Sequence, residues 1–304
     1  MILILANDKD GLYNFRKKLI DKLKQFDDKI LLAFPSIDIR TDEDLFGCRV
    51  INTPIDRRGI NPFKDYSLYI RYKKIIKDYK PDMVITYTIK PNIYGSLAAK
   101  SKAKYFVNIT GLGSAFQKKG ILKNFIIMLY KRALKNVNKV FFENIANQDV
   151  FIKNKIIPLE KAVVLNGAGV DLEQYPYIIM QDSKPITFLF IGRIMKEKGI
   201  DEFINAALML KQEYKDNIKF EIIGGYEEDY KKKIDELHSQ NIISYYGYQH
   251  DVKPYIVKAH CIVLPSYHEG MSNSLLEAAS IGRPLIASDI NGCKEAIIHG
   301  QSGY

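Results

Sequence analysis

No tryptophan occurs among the 304 residues of this chain, and there are only three cysteines. Cys48, Cys261 and Cys293 are widely separated, odd in number and without metal-ligand spacing. That excludes a disulfide framework and a zinc motif, and it implies reduced thiols in a cytoplasmic setting. No apolar run approaches the ~20 residues needed to cross a bilayer. The opening stretch from Met1 to Ala6 meets Asn7 and Asp8 too early for a secretory leader, and it lacks a basic start. It reads as a buried strand. Histidine is confined to the second half (His238, His250, His260, His268 and His299), which removes the commonest general base from the first.

What is present describes a soluble globular protein. The hydrophobic fraction is 47% and the charged fraction 26%, and the length suits two domains of about 150 residues. Charge divides the chain unevenly. Residues 1–170 carry 31 Lys and Arg against 16 Asp and Glu, while residues 171–304 carry 14 against 19, so a half at +15 joins a half at −5. A basic half suggests an anionic partner: membrane lipid, a phosphorylated acceptor or nucleic acid. No recognisable nucleic-acid module or interleaved aromatic platform accompanies the lysines, so no nucleic-acid partner is expected.

In the first half, apolar runs at 2–6, 30–34, 49–53, 83–87, 105–109, 139–142 and 162–165 alternate with amphipathic stretches at 12–26, 63–79, 92–101, 120–137 and 145–154. Strands separated by helices predict a parallel sheet wound on both faces, which binds ligands at the carboxyl ends of its strands. After the first strand, Gly11 is expected to permit close backbone approach before a helix carrying Arg16. Lys90, ahead of the helix opened by Pro91, is placed to meet a phosphate. Gly111 and Gly113 follow the strand run at 105–109, but Phe116 stands where a dinucleotide fingerprint needs glycine. Asp8-x-Asp10 and Asp42-x-Asp44 are short acidic pairs of the kind chance supplies, and no metal site is read from them. Lys118 to Arg132 mixes bulky apolar residues with lysines. Such a helix either lies on anionic lipid or packs on the sheet with a basic exposed edge.

The pattern lapses between about 167 and 183, where a linker is expected, giving domains of 1–170 and 171–304. A strand then runs from Ile186 towards Gly192 and Arg193, and Lys198 stands before the next helix, so both cations can reach one site. The densest stretch follows Cys261-Ile262-Val263-Leu264, an apolar strand. It reads Pro265-Ser266-Tyr267-His268-Glu269-Gly270-Met271-Ser272-Asn273, after which Leu275, Leu276, Ala278, Ala279 and Ile281 fall at helical spacing until Gly282 and Pro284. A strand, a glycine-containing loop and a helix capped by Ser272 or Asn273 aim free backbone N–H groups at a phosphate or sugar oxygen. Glu269 and Glu277 flank that point, at most ~12 Å apart along the chain.

Glu269 and Glu277 enclose seven residues, and the run resembles the E-x7-E motif of retaining glycosyltransferases of family 4. The likeness continues through Gly282-Arg283-Pro284-Leu285 and Gly292-Cys293-Lys294-Glu295. In the first half Asn14-Phe15-Arg16, the run from Thr86 to Asn92 and the run from Val107 to Phe116 are similar to members that assemble bacterial polysaccharides. The resemblance implies an α/β GT-B fold, with two Rossmann-like, doubly wound parallel-sheet domains facing a cleft, the first for the acceptor and the second for the donor. It implies that Arg193 and Lys198 contact the donor diphosphate and Glu277 its ribose. Glu269, the catalytic residue, would position the sugar hydroxyls near the reacting carbon. Backbone amides of Gly270, Met271, Ser272 and Asn273 would hold sugar and phosphate, and Gly11, Asn14, Arg16, Lys90 and Gly111 would line the acceptor side or cleft.

The implied activity moves a hexose from a nucleotide-sugar, such as UDP-GlcNAc, UDP-GalNAc or UDP-Gal, to a lipid-linked glycan in capsule, O-antigen or related surface-polysaccharide synthesis. Neither cofactor nor metal is expected, and the implied location is cytoplasmic, peripheral at the inner face of the plasma membrane and in contact with anionic lipid. A GT-B sugar-nucleotide epimerase also fits. So does an inactive, truncated donor-binding protein, because the chain stops at Tyr304 where members continue through further helices. No catalytic base is legible: the first-domain histidine of several members has no counterpart, and His268 beside Glu269 is as compatible with packing as with chemistry.

Overall fold

A computed structural model gives the fold, described for residues 1–35, 46–57, 59, 61–99, 102–112, 116 and 120–304. Asp42, Asp44, Gly113, Lys118 and Lys119 of the sequence reading lie outside these residues. The chain divides into two compact units, Met1–Ala168 and Gly169–Tyr304.

The first unit holds a seven-stranded parallel sheet. Its strands are β1 (Ile2–Leu5), β2 (Ile30–Phe34), β3 (Arg49–Asn52), β4 (Met83–Tyr87), β5 (Lys104–Ile109), β6 (Lys139–Phe142) and β7 (Ala162–Val164), in the order β3-β2-β1-β4-β5-β6-β7. They coincide closely with the apolar runs because the central strands are buried on both faces. Alternate side chains of a strand point to opposite faces. Ile2 and Ile4 therefore join Leu12 and Ile20 of helix α1 (Lys9–Lys24) in one core. Leu3 and Leu5 join Leu68, Tyr72, Ile75 and Ile76 of α2 (Pro62–Tyr79) and Tyr130 and Ala133 of α3 (Ile121–Ala133) in the other. Withdrawing each such side chain from water contributes about 1.5–3 kcal/mol. Helix α4 (Ile145–Lys153) follows β6.

Helix boundaries differ from the periodicity in instructive ways. Helix α1 begins at Lys9 because Asp8 caps it, its carboxylate accepting from the Gly11 amide at 2.5 Å. Gly11 is thus inside the first turn with its N–H engaged, a correction to its reading as a glycine ahead of the helix start. The stretch expected as a helix over 92–101 is a π-helical turn, Pro91–Gly95, that runs into Ser96–Ala98. There the buried Asn92 side chain accepts from Thr86 Oγ1 at 2.7 Å and donates to the Asn108 carbonyl at 2.8 Å, tying the ends of β4 and β5. Helix α3 ends at Ala133 and continues only as a 3₁₀ turn, Leu134–Asn136.

The second unit holds β8 (Ile186–Ile191), β9 (Ile218–Ile223), β10 (Ser244–Tyr245), β11 (Cys261–Leu264) and β12 (Leu285–Ala287), parallel in the order β10-β9-β8-β11-β12. Helices α5 (Ile200–Tyr214), α6 (Lys231–Ser239), α7 (Lys253–Lys258) and α8 (Asn273–Ile281) cover it. Leu189, Phe190, Ile222, Ile262 and Leu264 pack against Phe203, Ile204, Leu275 and Ile281. Arg283 is only 2% exposed. Its guanidinium donates to the carbonyls of Ile256 (3.1 Å), Val257 (2.9 Å), Ile178 (2.9 Å) and Ile281 (3.4 Å). It thereby closes the carbonyl ends of α7 and α8, where positive charge is favoured.

In each sheet the chain winds outward from its first strand and then crosses to the other side. The crossing falls between β1 and β4 in the first unit and between β8 and β11 in the second. Loops diverge at such a switch point and leave a crevice outside the carboxyl ends of the strands, the usual ligand position in open parallel sheets.

Candidate active site

At the second switch point the loops leaving β8 and β11 are locked together. The Tyr267 amide donates to the Glu197 carbonyl at 2.9 Å, and the Ser266 hydroxyl donates to the same oxygen at 3.2 Å. Gly199 permits the approach: it lies at φ +75°, and a Cβ there would be 2.0 Å from the Pro265 carbonyl oxygen. This lock brings Lys198 Nζ to 2.5 Å from Glu269 Oε1, with the side chains 17% and 9% exposed. Gly292, at φ +90°, closes the other side, since a Cβ would stand 2.7 Å from both Glu269 Cβ and the Gly270 oxygen. Cys293, next in the chain, is buried; burial and then Glu269 push its thiol up to about 12, so it stays protonated behind the carboxylate.

Helix α8 opens as the sequence indicates. Ser272 is its cap, accepting from the Leu275 amide at 3.4 Å. The amides of Met271, Asn273 and Ser274 have no hydrogen-bond partner among the described residues, and the positive end of the helix dipole adds to them. The Ser272 amide is a correction: it donates to the Gly292 carbonyl at 2.8 Å and is not available to a ligand. Two side-chain atoms next to Glu269 in the chain or at the start of α8, His268 Nε2 and Asn273 Oδ1, are buried with no partner among the described residues. Unpaired buried polar atoms each cost about 1–3 kcal/mol, and a bound ligand is one way to supply the missing partners. The sequence placed His268 beside Glu269 but left it open between packing and chemistry.

Arg193 stands past the end of β8, half exposed, with Nη1 3.3 Å from Glu227 Oε2. An exposed pair of this kind is weak and exchanges readily for a stronger anion. Glu277 lies in the second turn of α8. Burial, and then Asp251, push its carboxyl up to about 7. A ligand donating hydrogen bonds to it favours the charged form. Arg193, Lys198, Glu269, Gly270, Met271, Asn273 and Glu277 all belong to the loops and helix at this one sheet end.

The first unit has its own cluster at its own switch point. The Arg16 guanidinium lies 4.8 Å from the centre of the Tyr87 ring, and Nη2 is 2.9 Å from Glu143 Oε1. Glu143 immediately follows β6 and was not found from the sequence, where it is a single carboxylate outside any motif. Beside Tyr87, Thr88 sits at φ +72°, a conformation that a β-branched residue adopts only when its surroundings impose it. Lys90 is turned elsewhere: its ammonium donates to Asp65 Oδ1 at 2.6 Å and the Gly59 carbonyl at 2.8 Å. Its charge is therefore engaged against α2 and not presented at the switch point as expected. Asn14 is exposed on α1, and Gly111 follows β5 with open space where a Cβ would be.

Residues 2–144 match the family described as Glycosyl transferase 4-like, and residues 175–304 match that described as Glycosyl transferases group 1. The chain is 30% identical over 312 residues to the N,N'-diacetylbacillosaminyl-diphospho-undecaprenol alpha-1,3-N-acetylgalactosaminyltransferase of Campylobacter jejuni, covering 96% of this chain and 81% of that one. It is 30% identical over 264 residues to the UDP-Gal:alpha-D-GlcNAc-diphosphoundecaprenol alpha-1,3-galactosyltransferase of Escherichia coli, covering 80% and 67%. Among solved structures, Anabaena HepE in complex with UDP and glucose superposes with a TM-score of 0.74 at 15% identity, over 100% of this chain and 85% of that one. Sucrose-phosphate synthase of Thermosynechococcus elongatus gives 0.77 at 16%, over the same shares. These likenesses show the fold, which is GT-B.

Proposed function

The chain belongs to the group 1 glycosyltransferases, and we propose that it moves a sugar from a UDP-sugar to a saccharide carried on undecaprenyl diphosphate, in the assembly of a surface glycan. The Lys198–Glu269 pair carries this reading for the donor. A diphosphate draws Lys198 and Arg193 to itself, so that these two cations, and no metal, neutralise its charge. Glu269 is then left to accept from hydroxyls of the sugar, and Glu277 from those of the ribose. The amides of Met271, Asn273 and Ser274 supply further donors at the head of α8. In the transfer step the acceptor hydroxyl oxygen bonds to the anomeric carbon as the bond from that carbon to the β-phosphate oxygen breaks. UDP departs with the electron pair, and the hydroxyl proton passes to a phosphate oxygen. UDP-hexoses are α-linked and the Escherichia coli relative is named for an α product, which supports retention of configuration.

The acceptor half rests on the named activities of the two relatives and on the surface of the first unit. Helix α3 exposes Leu122, Phe125 and Met128, flanked by Lys123, Lys131 and Arg132, and α2 exposes Phe63, Tyr66 and Ile70. Apolar side chains among lysines favour the interface of an anionic bilayer, and no described helix is long and apolar enough to cross one. Both helices pack on the same face of the sheet. The protein is thus a peripheral one on the membrane that carries its acceptor.

The test is direct transfer. Purified protein is incubated with UDP-Gal, UDP-GalNAc or UDP-GlcNAc and with GlcNAc-diphospho-undecaprenol or N,N'-diacetylbacillosaminyl-diphospho-undecaprenol. Addition of one sugar is expected for one combination, and its loss in Lys198→Ala and Glu269→Ala. Conversion of a donor without any acceptor would instead make the protein an epimerase, and failure to bind UDP at all would overturn the reading.

A further inference from the structure

One cavity of the first unit lies outside the transfer chemistry. It encloses about 530 Å³ between the chain leaving β3 and the first turns of α2. Strand β3 is at the edge of the sheet, two strands away from β1 and the switch point, so the cavity stands aside from the crevice that suits an acceptor. Among the described residues, Ile55 and Leu68 give it apolar lining, and Asp56, Lys64, Asp65 and Arg71 give it charge. Both carboxylates are engaged. The Lys90 ammonium, reaching from beyond β4, lies 2.6 Å from Asp65 Oδ1, and the Tyr94 hydroxyl donates to Oδ2 at 3.0 Å. Asp56 accepts from the Gly59 amide at 2.8 Å and from Lys64 at 3.1 Å. Arg71 is the cation left over. Its one hydrogen bond among the described residues is a long one, Nη1 to the Asn52 carbonyl at 3.4 Å, and it meets no carboxylate among them. The Lys64–Asp56 pair is exposed, 63% and 32%, and so yields readily to a stronger anion.

Position supplies the source of that anion. Lys64, Leu68 and Arg71 recur at i, i+4 and i+7, on one face of α2. Phe63, Tyr66 and Ile70, all exposed, form the adjoining stripe, about 100° round the helix. The cavity thus lies beside an apolar surface suited to lipid. We propose that it is a headgroup site for an anionic phospholipid of the phosphatidylglycerol type, which holds the protein on its membrane. Arg71 offers the phosphodiester two parallel hydrogen bonds, and Lys64 leaves Asp56 to join it. Asp56 then accepts from the hydroxyls at the far end of the glycerol headgroup, so cations and carboxylate are matched together. The inference rests on the reading that this unit lies on the membrane carrying its acceptor.

The experiment is cosedimentation of the whole chain with phosphatidylcholine vesicles. These carry equal fractions either of phosphatidylglycerol or of a succinyl-diacylglycerol, which is anionic but has no phosphate. General attraction to a charged surface is the same for both. Wild type is expected to bind the phosphatidylglycerol vesicles about tenfold more tightly. Arg71→Lys keeps the charge and loses the planar fork, so that ratio should fall to about one. Its thermal midpoint should not move, because the side chain is exposed. Equal binding of the two vesicles by wild type, or a ratio that survives Arg71→Lys, overturns the proposal. The diphosphate of the acceptor is the rival occupant, and transfer to GlcNAc-diphospho-undecaprenol in phospholipid-free detergent separates it. An acceptor KM in Arg71→Lys within about twofold of wild type is expected. A rise of about tenfold or more gives the cavity to the acceptor and overturns the proposal. Should wild type bind neither vesicle, the membrane reading fails, and calorimetry with monomeric dihexanoyl phosphatidylglycerol decides the site alone. Binding that is lost in Arg71→Lys sustains the site; no binding to wild type overturns it.

Discussion

Lys198 and Glu269 meet at 2.5 Å across two loops that leave neighbouring strands of the second sheet. Each neutralises the other while no ligand is bound, so a diphosphate must compete with Glu269 for the lysine. Glu269→Gln removes that competitor. UDP, which carries no sugar for residue 269 to hold, should then bind about three- to tenfold tighter, while transfer falls by about 100-fold or more. Calorimetry with UDP and a transfer rate read the two effects. Weaker UDP binding in this variant would remove Lys198 from the diphosphate site.

Glu277 should make both stability and binding depend on pH. Its carboxyl is raised from 4.5 to about 7 by burial and then by Asp251. Tyr175 also faces it, its hydroxyl raised chiefly by burial and further by Glu277. An acid whose value is higher in the folded state contributes stability that is complete below the unfolded value and lost as pH rises through the folded one. Here that loss falls between pH 4.5 and about 7. Glu277→Gln should abolish it, so the variant gains on wild type at about pH 8 relative to about pH 5 by roughly 1–3 kcal/mol. Ribose hydroxyls donating to the ionised carboxylate reverse the sense for binding: UDP affinity should rise over that interval with release of a proton. Calorimetry in buffers of different ionisation enthalpy counts that proton, and a count of zero would detach Glu277 from the ribose.

Arg283 should prove essential to the second unit without touching any ligand. Replacing it by Ala leaves the carbonyls of Ile178 and Val257 without the guanidinium donor and Ile256 with the Ala259 amide alone. The cost should be about 3 kcal/mol or more. Arg283→Lys should recover little, because one ammonium cannot reach partners that a planar fork addresses in several directions. Urea unfolding measures both, and wild-type stability in the lysine variant would refute this account.

The exposed faces of α2 and α3 should be needed at the membrane and nowhere else. Phe125→Asp together with Met128→Asp places charge where apolar side chains meet lipid. Cosedimentation with phosphatidylglycerol vesicles should drop by about tenfold or more, with UDP affinity unchanged. Vesicle binding that survives both substitutions would move the contact to another surface.

Much of the candidate site in the second unit was legible because its residues are local in sequence. A buried parallel strand must be an unbroken apolar run, so Cys261-Ile262-Val263-Leu264 announced itself, and the cap of the helix that followed was narrowed to Ser272 or Asn273, of which the structure takes Ser272. Glu269 and Glu277 stand at a spacing that a loop and a helix translate directly into position. The engagement of the Ser272 amide was not legible, since it depends on Gly292 folding back against it. Lys90 was misread for a similar reason: its strand-end position was right, but Asp65 and Gly59 take its charge, and neither is near it in sequence.

By itself, then, the sequence determined the alternation of strands and helices, the two units, the family and the charged residues of the loop after β11. The alternation, the units and the loop follow from short-range periodicity, capping or spacing; the family followed from the resemblance of whole motifs to known members. Only the tertiary structure decided which charges face each other. Lys198 and Glu269 are joined across strands that neighbour in the sheet but not along the chain, and Arg16 of α1 meets Glu143 from the end of β6, three strands away from β1. Their pairing is set by strand order and by close backbone contacts such as that of Gly199 with Pro265. Strand order comes from how whole faces bury against one another, and no local pattern of residues encodes it.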